Sequence, residues 1–373
     1  MKEIAKIKFI LLVGQTPPPY GGAAMMIKRT LEGNYGSKIK LFHIRLEFSK
    51  EMDEIGKFKI YKIFHLFNII MKILVYRFKY NINILYYIPA GPNIVPIIRD
   101  IFILGFTRFL FIKTLFHFRA SGISDYIKKK PPIIRILLKF IYNKPYAAIR
   151  LSEFTPDDSS YFNAQKKFIV YNGIEDNSIN FMKKRREKDK IIYLLFLGIV
   201  KASKGINILL NACNLLAKDN VNFQCDIVGK FESISYRQYC YETIKEYNLD
   251  QKVIFHGVKI GKEKFQYIIN CDIFVFPTYF ESEGTPGSII EAMSFGKPII
   301  TTYWRGVPSL VENDYNGFLT QIRNPFEVYT SIIKLINNND KMIKFGLNSR
   351  KKYLSKFRID IYHKEMKEVF NIL

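Results

Sequence analysis

Cysteine is scarce in this 373-residue sequence, which has only Cys213, Cys225, Cys240 and Cys271. No two of them have the close spacing of metal ligands, and the first 212 residues contain none. The pattern therefore argues against a disulfide framework and against a cysteine-based metal site. Reduced, buried thiols in a cytoplasmic protein are the expectation.

Long apolar runs are also absent. No stretch reaches about 18 uninterrupted apolar residues, so we predict no membrane-spanning helix. The closest candidate, residues 98–112, carries three charged side chains. The run from Phe9 to Val13 follows lysines, as a signal peptide would. It continues into a Pro- and Gly-rich segment without a cleavage site, so a first β-strand is the better interpretation.

Acidic residues are few, with 33 Asp and Glu against 57 Lys and Arg and a net charge of +24. Residues 61–150 hold 15 Lys or Arg against 2 acids, a net of +13, and are rich in Phe, Ile and Tyr. Such a basic, aromatic surface favours attachment to an anionic membrane, at roughly 1 kcal/mol per well-placed cation. Two alternatives stay open: a composition biased toward Lys, Ile and Asn, and binding to nucleic acid.

Residues 271–302 have the pattern around which we expect the chain to be organised. The apolar run Ile273 to Phe276 predicts a buried strand, and a proline and a polar loop follow it. Thr285 then suits the N-cap of a helix that begins at the next proline and extends to about Phe295. A second short strand after this helix would complete a strand–helix–strand unit of a parallel sheet.

Two carboxylates flank the start of that predicted helix. Glu283 precedes it, and Glu291 lies inside it among apolar residues. A helix N-terminus at Gly284 would attract an anion such as a phosphate. A phosphate site with carboxylates on either side suits a nucleotide sugar. The alternative is that Glu283 only complements the helix dipole and that Glu291 reaches solvent.

The segment from Glu283 to Glu291 resembles the E-x7-E motif of the retaining glycosyltransferases of family 4, which have the GT-B fold. Flanking segments extend the similarity: Phe196-Leu-Gly, Ser203-Lys-Gly and Ala292-Met-Ser-Phe-Gly-Lys-Pro. The resemblance is strong over residues 191–320 and looser over residues 1–180.

This resemblance implies an α/β protein with two Rossmann-like, doubly wound domains that face a central cleft. The acceptor-side domain would comprise residues 1–173, and the nucleotide-sugar domain residues 174–358. A C-terminal helix at about 359–371 would pack back on the first domain. The polar segment from Glu175 to Lys190 is the best linker candidate.

Site residues follow from the same resemblance. Glu291 would bind the ribose hydroxyls and Glu283 the donor sugar, while Lys204 and the backbone at Gly284 and Thr285 would hold the diphosphate. No D-x-D motif occurs in the sequence, so no metal and no cofactor beyond the co-substrate are expected.

Further positions are expected to contribute less directly. Family members often carry Arg where this chain has Ile199, and Lys201 could supply that phosphate contact. Gly21 and Gly22 would border the donor in the loop after the first strand. His117 would bond a sugar hydroxyl, and Arg119 stands where some relatives have a second acceptor-side histidine.

The function so implied is transfer of a hexosyl or N-acetylhexosaminyl unit from a nucleoside diphosphate sugar to a saccharide acceptor. A lipid-linked acceptor in surface polysaccharide synthesis is expected, with the protein in the cytoplasm on the inner face of the cell membrane. A GT-B nucleotide-sugar epimerase and a non-enzymatic, basic nucleic-acid-binding protein are the alternatives.

Overall fold

The computed structural model describes residues 7–18, 20–48, 61–180 and 191–373. The chain divides into two compact units. The first comprises residues 1–173 together with 360–373, and the second comprises residues 174–359. Within the described ranges, no helix combines the length and the apolar character needed to cross a bilayer.

The first unit is built on a six-stranded sheet in which every neighbouring pair is parallel. Its strands are β1 (Lys8–Gly14), β2 (Ile39–Arg45), β3 (Ile84–Tyr87), β4 (Lys113–Phe118), β5 (Ala147–Arg150) and β6 (Lys166–Ile169). They lie in the order β2-β1-β3-β4-β5-β6. The chain order reverses between β1 and β3, which makes their carboxyl ends the switch point of this sheet.

Helices alternate with these strands, as buried parallel strands require. They are α1 (Gly22–Glu32), α2 (Tyr61–Lys79), α3 (Ile94–Thr107), α4 (Ile123–Lys128), α5 (Pro132–Tyr142) and α6 (Asp158–Tyr161). The crossovers that contain α2, α3 and α5 all run in one direction across the sheet, whereas the crossover through α1 runs in the other. Because such crossovers are right-handed, α2, α3 and α5 lie on one face and α1 on the opposite face.

The second unit repeats the architecture with a second parallel six-stranded sheet, in the order β12-β11-β10-β7-β8-β9. Its strands are β7 (Ile192–Leu197), β8 (Phe223–Val228), β9 (Val253–Phe255), β10 (Ile273–Phe276), β11 (Ile299–Thr302) and β12 (Gly317–Thr320). Its helices are α7 (Ile206–Lys218), α8 (Ile234–Glu246), α9 (Gly261–Asn270), α10 (Gly287–Ser294), α11 (Pro325–Ile336) and α12 (Asn339–Lys356). The predicted pair of doubly wound α/β sheets is therefore confirmed, and the switch point of this sheet lies between β7 and β10.

The C-terminal helix α13 (Ile359–Ile372) belongs almost entirely to the first unit. The hydroxyl of Tyr362 lies 2.5 Å from Oγ1 of Thr30 in α1, and both side chains are buried. The imidazole Nε2 of His363 lies 2.9 Å from the carbonyl oxygen of Arg29. The chain thus returns to the first sheet after completing the second.

The start of the predicted linker is bound to the second unit. The chain passes from one unit to the other between Gly173 and Ile174. Asp176 accepts hydrogen bonds of 2.8 and 2.6 Å from the Arg350 guanidinium, which ties the start of the segment to α12 in the second unit. Residues 181–190, the rest of the predicted linker, lie outside the described residues.

Helix α10 begins one residue later than the sequence predicts. Pro286, rather than Thr285, occupies the N-cap, and Gly287 is the first helical residue. Pro286 has an extended backbone (φ −57°, ψ 120°), so the helical turn starts only after it. The C-terminal end agrees with the prediction, because Gly296 adopts the left-handed conformation with φ +65°.

Candidate functional site

Two loops meet at the switch point of the second sheet, one after β7 and one after β10. The backbone N–H of Tyr279 donates to the Ser203 carbonyl oxygen at 2.8 Å. Gly205 makes this approach possible, because a Cβ built there would lie 2.0 Å from the carbonyl oxygen of Pro277. Gly205 also has φ +87°, a conformation that side chains disfavour. The fold thus brings residues 76 positions apart to one edge of the sheet.

Glu283 is the centre of this contact. Its Oε2 atom accepts a 2.7 Å hydrogen bond from the Lys204 ammonium and another of 2.7 Å from the Thr278 hydroxyl. Its side chain is only 7% exposed. A buried carboxylate is stable only when it is paired and hydrogen-bonded, and these two donors supply that compensation. The alternative in which Glu283 acts only on a helix dipole does not account for them.

The loop that carries Glu283 also makes hydrogen bonds with residues at the end of β11 and just after it. The indole Nε1 of Trp304 donates to the Phe280 carbonyl oxygen at 2.8 Å. The hydroxyl of Thr302 donates to the carbonyl oxygen of Thr278. Phe280 in turn places its ring 4.5 Å from the Lys204 ammonium. These contacts support the loop that carries Glu283 and place an aromatic ring beside its partner Lys204.

Glu291 lies in α10, one turn beyond the helix start. Its Oε1 atom accepts a 2.6 Å hydrogen bond from Lys264 of α9, and its side chain is 18% exposed. The flanking side chains of Ile290 and Ala292 are fully buried. The alternative in which Glu291 only reaches solvent is therefore not what the structure shows.

Backbone donors complete this group. The first amides of a helix have no intrahelical acceptor, so those of Gly287, Ser288 and Ile289 are available at the start of α10. Gly284 and Thr285 belong to the approach to this helix rather than to the helix itself. A Cβ at Gly287 would meet open space, so no described residue packs against the helix at that point.

Lys201 has a partner of its own. Its ammonium lies 2.8 Å from Oε1 of Glu232 and 5.3 Å from the centre of the Phe280 ring. Lys204 lies closer to that same ring and contacts Glu283 directly. The two lysines are thus neighbours, but they are held by different carboxylates.

In the first unit, His117 is fully buried near the end of β4. Its Nδ1 atom lies 2.7 Å from the hydroxyl of Tyr86 on the neighbouring strand β3, while its Nε2 atom has no hydrogen-bond partner among the described residues. Burial and the nearby Arg119 guanidinium hold the pKa of His117 well below its ordinary value. The imidazole is therefore neutral at physiological pH.

Arg119 follows two residues later and is also buried. Its guanidinium donates to the Tyr362 hydroxyl at 2.7 Å and to Oδ1 of Asn172 at 3.1 Å. The neighbouring tyrosine hydroxyls of Tyr362 and Tyr86 outweigh the cost of burial and raise the pKa of Arg119. Arg119 thus connects β4 to the C-terminal helix.

Gly21 and Gly22 lie at the start of α1, with Gly21 at its N-cap. A Cβ at Gly22 would meet open space. Gly22 therefore has no packing against its Cα, in the segment that follows β1 at the switch point of the first sheet. The residues described contain no group of three or more His, Cys, Asp or Glu side chains arranged to hold a metal ion.

Known proteins share much of the second unit. Residues 177–352 match the family model of glycosyl transferases group 1. The Lys204–Glu283 pair and the Lys264–Glu291 pair both lie inside this group 1 region. His117 and Arg119 lie outside it.

Two curated relatives of the chain are named as glycosyltransferases of polysaccharide biosynthesis. The chain is 23% identical over 214 residues to the amylovoran biosynthesis glycosyltransferase AmsK of Erwinia amylovora, covering 56% of this chain and 52% of AmsK. It is 25% identical over 221 residues to the capsular polysaccharide biosynthesis glycosyltransferase CapM of Staphylococcus aureus, covering 56% of each. The match spans little more than half the length of these relatives.

Solved structures confirm the GT-B fold over nearly the whole chain. Anabaena HepE in complex with UDP superposes with a TM-score of 0.73 at 16% identity, covering 98% of this chain and 100% of HepE. The sucrose-phosphate synthase of Thermosynechococcus elongatus gives 0.74 at 16% identity, covering 98% of both chains. At such low identity these similarities establish the fold alone.

Several residues of these clusters were not predicted from the sequence: Thr278, Lys264, Tyr86, Tyr362 and Asn172. Thr278 had a usable signal, since it follows the predicted strand Ile273–Phe276 closely and precedes Glu283 by five residues. Lys264 and Tyr362 had none, because each reaches its partner from a helix remote in sequence.

Proposed function

We propose that the chain is a retaining glycosyltransferase of family 4 that transfers a sugar from a nucleoside diphosphate sugar to a saccharide acceptor. The observation that carries this proposal is the Lys204–Glu283 pair beside the start of α10, at the switch point between β7 and β10. In open α/β sheets, ligands bind in the crevice at that point.

The diphosphate would bind at the start of α10. The helix amides of Gly287 to Ile289 point their N–H groups toward an anion placed there, and the helix dipole adds favourable charge. The Lys204 ammonium has three donors and uses one on Glu283, so it can also bond a phosphate oxygen. These groups would stabilise the departing diphosphate by about 1.5–3 kcal/mol per charge-assisted bond, without a metal.

The donor sugar and the ribose would bind to the two carboxylates that lie on either side of this diphosphate site. By its resemblance to the family motif, Glu291 binds the ribose hydroxyls, and Lys264 fixes the orientation of that carboxylate. Glu283 binds the donor sugar. In the first unit, the Nδ1 atom of the neutral His117 already contacts the Tyr86 hydroxyl. Its Nε2 atom would therefore be the one that bonds a sugar hydroxyl.

The acceptor proposed here is a saccharide, lipid-linked, in the assembly of a surface polysaccharide. The similarity to AmsK and CapM supports the polysaccharide part of this proposal. The excess of positive charge in residues 61–150 supports the lipid part, and with it a position on the cytoplasmic face of the cell membrane.

Calorimetric titration with UDP, GDP, ADP and CDP tests the donor site. We expect one nucleotide to bind selectively and Glu291→Ala to weaken that binding at least about tenfold. Exposed Glu246, at the end of α8, provides a matched control as Glu246→Ala. Failure of all four nucleotides to bind, or equal binding by Glu291→Ala, would contradict the proposal.

A further inference from the structure

Helix α2 exposes an apolar stripe where a surface helix normally carries polar residues. Its exposed apolar side chains are Phe64, Phe67, Met71, Val75 and Phe78, with exposed fractions between 43% and 76%. Spacings of three and four residues place them along one side of the helix. The opposite side of α2 packs on the core of the first unit. This helix therefore presents apolar surface to both the core and the solvent.

The next two helices on the same face of the sheet have the same property. On α3, Ile98, Phe102 and Phe106 are 45–66% exposed. On α5, Ile133, Ile136 and Phe140 are 61–80% exposed. Their spacings again correspond to one side of each helix. Three consecutive crossover helices thus turn an apolar stripe away from the core.

These stripes belong to one continuous surface. Helix α3 packs against both α2 and α5. The rings of Phe109, just after α3, and Phe140 on α5 lie 5.2 Å apart. We call this surface the α2–α3–α5 face. Exposed apolar surface of this extent is uncommon on proteins that remain in water, and it marks an interaction site.

The charge around the α2–α3–α5 face is almost entirely positive. Between residues 61 and 143 the only acids are Asp100 and Asp125. Asp100 is fully buried, where it accepts hydrogen bonds from two tyrosine hydroxyls. Asp125 lies 3.8 Å from Lys128. Exposed lysines accompany the stripes at Lys72, Lys79, Lys129 and Lys139.

We propose that the α2–α3–α5 face docks on an anionic lipid bilayer. The phenylalanine side chains would enter the interface between headgroups and acyl chains, and the lysines would bind lipid phosphates. A second copy of the chain is a poorer occupant, because a symmetric interface would bring two strongly positive faces together. A bilayer satisfies the apolar and the cationic parts of the face at once.

This inference assigns the membrane contact to particular side chains. Only one consequence of docking rests on the proposed function: a lipid-linked acceptor would be held at the same membrane surface as the first unit. Docking itself requires neither a donor nor an acceptor. The two proposals can therefore fail separately.

Vesicle sedimentation tests the docking surface. The full chain is mixed with vesicles of phosphatidylcholine alone or with phosphatidylglycerol added, at about 0.1 M salt, where surface charges still act over ~10 Å. We expect sedimentation with the anionic vesicles only. The combined variant Phe67→Asp, Phe106→Asp and Phe140→Asp should lower the partition coefficient at least about tenfold. These positions are exposed, so folding should be retained.

Matched variants separate the two components of binding. Phe326→Asp, at an equally exposed phenylalanine (61%) on α11 of the second unit, should bind as wild type does. Lys72→Gln and Lys79→Gln should each weaken binding to anionic vesicles about fivefold.

Three outcomes would overturn the inference: wild-type protein that stays in the supernatant, a triple variant that sediments normally, or a dimer that forms without lipid and is abolished by the triple variant. Nucleotide titration of the same samples reports on the donor site. Vesicle binding without nucleotide binding would contradict the proposed function and leave the docking surface intact.

Discussion

The ammonium nitrogen of Lys204 lies 2.7 Å from Oε2 of Glu283, although 79 positions separate the two residues in the sequence. The contact joins the loop after β7 to the loop after β10 at the switch point of the second sheet. It balances a carboxylate that is only 7% exposed and that lies four residues before the start of α10. One pair thus serves both the stability of the loops and the proposed binding of a diphosphate.

Lys204→Gln should weaken binding of the preferred nucleoside diphosphate about 10- to 150-fold, because one charge-assisted bond of about 1.5–3 kcal/mol is lost. Titration calorimetry measures the change. Lys201→Gln is the matched control, since Lys201 is paired with Glu232 rather than with Glu283. We expect it to change affinity less than about threefold. A larger loss from Lys201→Gln than from Lys204→Gln would reverse the assignment of the phosphate contact.

Glu291 should discriminate ribose from deoxyribose. Wild-type protein is expected to bind the preferred nucleotide at least about tenfold more tightly than its 2′-deoxy form, because the carboxylate loses a hydroxyl partner. In Glu291→Ala both forms should bind equally weakly. Lys264→Met should retain part of the discrimination, because it removes the partner of the carboxylate but not the carboxylate itself. Undiminished discrimination in Glu291→Ala would place the ribose elsewhere.

Removal of divalent metal should leave donor binding intact. The helix amides and Lys204 are expected to neutralise the diphosphate, so its dissociation constant should change less than about threefold between EDTA and excess Mg²⁺. Titration of wild-type protein in both buffers measures this. A loss of about tenfold or more in EDTA that Mg²⁺ restores would show that a metal shares the phosphate site.

Much of the fold could be predicted from the local sequence pattern. The apolar strands and the residues that end them predict two doubly wound sheets, because each strand must be buried and each crossover must be right-handed. The end of α10, which we predict at about Phe295, was correctly placed, since the helix ends at Ser294 with Phe295 as its C-cap. The start of that helix was not, since Thr285 and Pro286 form a plausible N-cap pair in sequence and only the extended backbone of Pro286 shows otherwise.

Less of the candidate site could be predicted from the sequence, because its contacts join residues that are far apart in the chain. Lys264 reaches Glu291 from α9, and Tyr362 reaches Arg119 from the C-terminal helix. No local pattern distinguishes these residues from an exposed lysine and a core tyrosine. The burial of His117 also depends on tertiary packing, whereas its position at a strand end could be predicted.

Gly205 should tolerate no side chain. Gly205→Ala places a Cβ 2.0 Å from the Pro277 carbonyl oxygen in a backbone conformation with φ +87°. We expect a loss of about 1–3 kcal/mol in unfolding free energy, together with weaker nucleotide binding, because the loops that hold Lys204 and Glu283 must separate. Denaturant unfolding and calorimetry measure these effects. Gly105→Ala in α3 is the control, since the added Cβ would meet open space. This substitution should stabilise the protein by about 0.5–1 kcal/mol, because alanine loses less conformational entropy than glycine in a helix.

Glu365 should make the first unit less stable as pH rises. Burial, followed by the neighbouring charge of Glu368, raises the pKa of Glu365 from 4.5 to about 7. Its Oε2 atom is buried without a hydrogen-bond partner among the described residues. The protonated side chain is therefore favoured in the folded state, so its contribution to stability is complete below about pH 4.5 and is lost as pH rises through about 7.

Glu365→Gln should remove this dependence, because the amide stays neutral. We expect the melting temperature of the variant to exceed that of wild type by more at about pH 8 than near pH 5, where wild-type Glu365 is already largely protonated. Thermal unfolding at the two pH values measures the difference. Glu246→Gln, at an exposed helix end in the second unit, is the control. Its melting temperature should differ from that of wild type by the same amount at both pH values. If Glu365→Gln behaved likewise, Glu365 would titrate in the folded protein as it does in the unfolded chain, and its buried oxygen would have to be solvated.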